Sequence, residues 1–241
     1  MMVSFAGVVR PVVDRVHVSL RHASVPGVSA LYGGVRPGIE VDAFYALLDH
    51  PVAESALAAR MVYFAFDPDA EEARGLVARV NGSWELTGAG RERVLGVDRV
   101  FTEAAERLWS YRPIATMPGG EAVATAAGLI GRLLEAGQAS GGPVFRALTP
   151  VWEPPGGSAA QRLVARLEAL RHYRADAHRA AWGAAGLTVA EVQALGPGAV
   201  KDGIEAETNR LDDQVYEVLD EGERWLLLGA LGALADGLSA P

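Results

Sequence analysis

A mainly α-helical fold, with one small β-hairpin and a helical C-terminal bundle, is what this sequence predicts, and three observations carry it. Alanine, leucine, glycine and arginine dominate, and strong strand formers are few outside residues 76–86, a composition that favours helix. Residues 76–80 and 83–86 are short extended runs joined by Asn81-Gly82, a strong signal for a two-residue hairpin turn. From residue 158 onward, long segments with helical spacing begin at capping residues such as Thr188 and stop at glycines such as Gly186, as helices do.

With 241 residues, 50% of them hydrophobic, the chain can form one large domain or two small ones with real cores. The division we expect is 1–110 around the hairpin, 111–157 as a helix and an irregular connection, and 158–241 as a C-terminal helical domain. The absence of cysteine excludes disulfides, thiolate zinc sites and cysteine nucleophiles, and fits a cytoplasmic chain. No apolar run reaches the roughly 18 residues of a membrane span. The start, MMVSFAGVVRPVVDR, lacks a basic n-region and a clean apolar core, so no signal peptide is read and no membrane partner is expected. A net charge of −8 and a pI near 5.2 leave nucleic-acid binding to a local basic patch.

In chain order, residues 5–23 read as a helix interrupted early by Pro11, with His17 and His22 as solvent-facing or packing residues, and 24–40 as loop. Residues 41–48 form a short amphipathic helix, and 51–66 a second one with Leu57, Met61 and Phe64 along one face. Asp67 caps the next helix, Pro68 opens it and Gly75 stops it, giving a helix over 68–74 just before the hairpin. Thr87 then caps a charged helix that runs to about Trp109. Helix, glycine stop, hairpin and helix form the closing part of a winged-helix module, and 68–74 takes its recognition-helix slot. Asp67, Asp69, Glu71 and Glu72 crowd that helix, and over 42–107 seven Arg or Lys face twelve Asp or Glu, 7 − 12 = −5. Carboxylates repel a polyanion. If the module reads DNA, Arg74, Arg79, Arg91 and Arg93 are the candidate contacts.

Beyond a boundary at 110–120, residues 121–136 are helical. The 137–157 stretch, with five glycines and four prolines, is either a mobile linker or a loop that packs down through Val144, Phe145, Leu148, Val151 and Trp152. Helices follow over 158–185, from the Thr188/Glu191 capping box to Leu195, over 199–219, and from Asp220 and Glu223 to the end. The last is apolar on most sides, as helices at a core or subunit interface are.

The RHYRADAH run, 171–178, invites a metal reading that helical geometry discourages. At about 100° per residue, His172 and Asp176 fall opposite the stripe of Leu163, Leu167 and Leu170, as an exposed pair, while His178 lies elsewhere. Arg174 falls on the stripe with His178 one turn away. A guanidinium facing a core needs a partner. Either it pairs with Glu205, Glu207, Asp212 or Asp213, or it lines a pocket for an anionic ligand with His178 and Trp182. No glycine-rich phosphate loop, G-x-S-x-G or H-E-x-x-H is present, so neither catalytic residues nor a cofactor or metal are assigned.

The segments LEALRHYRADAHRAAWGAAGLTVAEVQAL, GLVARVNGSWELTGAGRERV and IEAETNRLDDQVYEVLDEGERWLLLGAL resemble the actinobacterial MarR-like winged helix-turn-helix family, over about a third of the chain. The resemblance implies an α-helical, winged-helix protein, often a homodimer, acting in transcription regulation. One departure is that 196–204 leaves no room for a second wing; the other is the acidic 68–74 helix. The function expected first is therefore transcription regulation by a MarR-like winged-helix homodimer; the alternative is a module that binds a small anionic ligand or a protein and no longer binds DNA.

Overall fold

The computed structural model describes residues 4–109, 121–234 and 236; the boundary expected at 110–120 lies outside them. The described residues are mainly helical, twelve helices with one small antiparallel sheet. The first helix, α1 (Phe5–Leu31), runs unbroken through both Pro11 and Pro26, correcting the expected interruption and the expected loop from 24. Burial of Val9, Val12, Val13, Val16 and Leu20 outweighs the roughly 3 kcal/mol that an interior proline costs. Gly27 is not a turn residue here. A Cβ at that position would lie 2.6 Å from Val100, so glycine allows close packing against the helix that carries Val100. The chain turns instead at Gly33 and Gly34, both at positive φ.

The expected 41–48 helix is two, α2 (Ile39–Asp42) and α3 (Phe44–Asp49), broken at Ala43. The expected 51–66 helix is also divided. Val52–Ala53 is a strand, β1, and only α4 (Glu54–Arg60) is helical. Phe64, expected on its apolar face, is exposed, while Leu57 and Met61 are buried. Next comes α5 (Pro68–Ala73), where Asp67 accepts from the amides of Asp69 and Ala70. The hairpin follows as β2 (Val77–Val80) and β3 (Ser83–Leu86), with Asn81 and Gly82 both at positive φ, the type I′ geometry that suits strand twist. β1 adds to β3, with Val52 opposite Trp84, giving the order β1-β3-β2. The Thr87 hydroxyl accepts from the Gly90 amide at 3.0 Å and donates to the Gly75 carbonyl at 2.8 Å, opening α6 (Gly88–Trp109).

The bundle contains α7 (Ala122–Ser140), α8 (Pro143–Ala147), α9 (Ala159–Ala184), α10 (Val189–Ala194), α11 (Ala199–Tyr216) and α12 (Glu221–Ala233). Ser158, Thr188 and Asp220 cap α9, α10 and α12, the last two through full capping boxes. The 137–157 stretch packs down: Val144, Phe145 and Leu148 are buried. Helix α9 is central, packing on α1, α6, α7, α8 and α11. That explains a second correction, since His172 and Asp176 are 5% and 7% exposed rather than on a wet face. Asp176 accepts from the Phe145 amide and from Arg179, both at 2.7 Å.

Two apolar cores result. The larger joins α1, α3, α6, α7, α9, α11 and α12. The smaller lies under the sheet, around Trp84, Leu57 and Ile39, and takes Val144 from α8 and Leu148 from its C-cap. Neither core is confined to one of the three segments expected from the sequence. Among the described residues no helix is long and apolar enough to cross a membrane.

Candidate functional site

The four arginines around the hairpin each have an acceptor within the chain. Arg74 reaches the fully buried Glu40 at 3.2 Å and Glu71 at 3.8 Å. Arg79 donates through Nε and Nη2 to Glu72, at 3.1 and 2.8 Å, and to Asp69 at 2.6 Å. Arg91 donates to the Leu48 carbonyl at 3.1 Å, and Arg93 to that of Leu31 while lying over the Tyr32 ring. The acids of α5 therefore have local work. Glu72 also accepts the Arg79 amide, Glu71 the Ile39 amide, and Asp67 caps the helix. Arg91 keeps an exposed side chain; Arg74, Arg79 and Arg93 are half-buried.

The second constellation sits where α1, α9 and α11 meet. Asp212, fully buried, accepts two hydrogen bonds from Arg10 and one from Arg174 at 3.2 Å. Arg174 also donates to Asn209 at 2.8 Å and Glu205 at 2.9 Å. Burial opposes the charge on Arg10, and the adjacent Asp212 more than offsets it, so the guanidinium pKa is raised. His178 pairs with the Thr208 hydroxyl at 3.2 Å, and burial lowers its pKa. Arg10, Asp14, Arg171, Arg174, His178 and Glu205 line a cavity of about 260 Å³. Trp182 is not part of it, because its indole N–H donates to the Tyr63 hydroxyl at 2.8 Å. The structure thus brings Arg174 and His178 together and places Trp182 apart.

A third cluster lies between α1 and α9. His17, 5% exposed and not solvent-facing, has Nε2 3.4 Å from Glu168, whose same oxygen accepts from Arg21 at 3.2 Å. Burial lowers the pKa of His17 to about 4 and that of His172 to about 3. Arg21 holds Glu168 ionised against the burial that opposes its charge. Sequence reasoning missed Arg10, Arg21 and Glu168. For Arg10 a signal existed, since it lies four residues after Ala6 and three before Val13, in phase with the buried stripe of α1.

No known family profile, curated protein or solved structure matches the chain.

Proposed function

We propose that this chain is a MarR-like winged-helix protein that no longer reads DNA and works as a small-anion-binding module. The order α3, β1, α4, α5, β2, β3, with its β1-β3-β2 sheet, supports the winged-helix half of the reading. The observation that carries the functional half is the engagement of Arg74, Arg79, Arg91 and Arg93 by acceptors of the chain itself. Phosphate contacts supply most non-specific DNA affinity, and breaking these internal pairs would oppose them. Self-association through the terminal helices belongs to the same proposal; Trp225, exposed and edge-on to Phe5, is its apolar contact.

Fluorescence anisotropy with pooled genomic fragments at about 10 mM salt, where the Debye length is about 30 Å, tests the reading. No saturable binding is expected. The alternative, a transcription regulator, is favoured by the element order alone, and a saturable shift that weakens steeply with salt would establish it.

A further inference from the structure

We propose that the polar layer where the two apolar cores meet is an acid-operated latch: proton uptake by His17 and His172 opens it and frees the sheet-side core while the bundle stays folded. The boundary between the cores runs along α3. Phe44 and Tyr45 belong to the larger core, and Ala43, Ala46 and Leu47 to the smaller. Glu168 and His172 of α9 face this stretch across a cavity of about 10 Å³, room for a single water. His17 and Arg21 enter the layer from α1, each reaching the same oxygen of Glu168, at 3.4 and 3.2 Å. Asp42 of α2 lines the cavity and faces Arg60 of α4 at 3.6 Å. Asp98 of α6 accepts from Gln161 of α9 at 2.6 Å.

The layer's hydrogen bonding is incomplete. Glu168 Oε1, Tyr45 Oη, Asp98 Oδ1 and the Nε atoms of Arg21 and Arg60 are buried with no partner among the described residues. Unpaired polar groups oppose burial, so this layer is a polar joint between two units that each have an apolar core, the arrangement that lets one unit open alone. Charge sets the direction. A proton on His17 would meet Arg171 and Arg21 as well as Glu168 and Asp14. On His172 it would meet Arg60, Arg171 and Arg179 as well as Glu168. The one carboxylate common to both rings is already engaged by Arg21. Burial first, and these arginines second, hold the rings neutral down to about pH 4 and about pH 3. In the opened layer each takes up a proton near 6.5. Opening thus binds up to two protons, and at pH 5 its equilibrium constant rises roughly 30-fold per ring. Asp42 and Asp98 act the other way, because burial raises their pKa values and acid favours their closed, protonated forms.

Pulse-labelling hydrogen exchange of the full chain between pH 7 and 4, read by mass spectrometry, tests the latch. Peptides from α4, β2 and β3 should lose protection at a higher pH than peptides from α7 and α12. In His17→Gln/His172→Gln that gap should close, and each single variant should halve the pH dependence of exchange on the sheet side. Simultaneous loss of protection in all peptides of the parent overturns the proposal, whether or not the variants fold. Early loss at the sheet that persists unchanged in the folded double variant overturns the assignment to the two histidines.

Discussion

Asp212 accepts from two guanidinium groups with one carboxylate, at zero exposure, and Glu205 supplies Arg174 with a second acid. Removing its charge leaves Arg10 buried and uncompensated, and an orphaned buried charge costs about 3–5 kcal/mol. Asp212→Asn should therefore lose stability on that scale in urea unfolding, whereas Arg10→Met combined with Asp212→Leu should recover most of it. Recovery would be absent if the pair were a net source of stability. Arg174 is a weaker contributor, since its side chain and that of Glu205 are 21% and 45% exposed. Its replacement by Met should cost about 1 kcal/mol.

The buried histidines set an acid limit at the same scale. His17 and His172 are packed among Asp14, Glu168, Arg21, Arg60, Arg171 and Arg179. Burial depresses their pKa values to about 4 and about 3, despite the opposing pull of Glu168. In the unfolded chain each takes up a proton near 6.5. Their contribution is therefore complete above that pH and drains away as pH falls toward 4. At pH 5 the loss is roughly 2 kcal/mol per histidine. The urea midpoint should drop between pH 7 and 5, and His172→Gln should flatten that dependence. An unchanged midpoint would show that the rings titrate in the folded protein as they do in the unfolded chain.

Among the elements, the hairpin is anchored from below by Gly90. A methyl there would run into the carbonyl oxygen of Leu76, backbone against backbone, which no side-chain rotation relieves. Gly90→Ala should cost about 1–3 kcal/mol and speed hydrogen exchange in β2 and β3 relative to α9; uniform protection would refute the coupling. The elements most legible in the sequence were those with local punctuation. Asp67, Ser158, Thr188 and Asp220 mark helix starts because their side chains satisfy free amides, and Asn81-Gly82 adopts the backbone that such turns require. What escaped depended on distant residues. Pro11 and Pro26 sit inside α1 because the core holds it straight. β1 is two residues long and exists only because Trp84 and Ser83 pair with it. His172 and Asp176 looked solvent-facing because one helix's apolar stripe does not reveal how many neighbours surround it.

For the whole molecule, the sheet and the bundle are joined by α8 and its C-cap, which lend Val144 and Leu148 to the core under Trp84 and are pinned by Asp176 of α9. A stretch dense in glycine and proline thus becomes a joint. Local sequence left open whether it would pack, because its apolar residues lack a period. The candidate sites were legible to a similar degree. Facing the core, Arg174 demanded an acceptor, and Asp212 and Glu205 were among those named from sequence. The pairing of Arg21 with Glu168 was not readable, since it depends on how α1 packs against α9.

Each arginine around the hairpin is held by an acceptor of the chain, and Arg79 by Asp69 and Glu72 of α5. The decisive measurement compares the parent protein with Asp69→Asn/Glu72→Gln, which frees Arg79, in DNA titrations across a range of salt. The parent should bind nothing, and the variant should gain weak binding whose logarithmic salt slope is about −0.9 for each phosphate contacted. Tight, salt-sensitive binding by the parent, undiminished beside the variant's, would show that these arginines are free to meet phosphate.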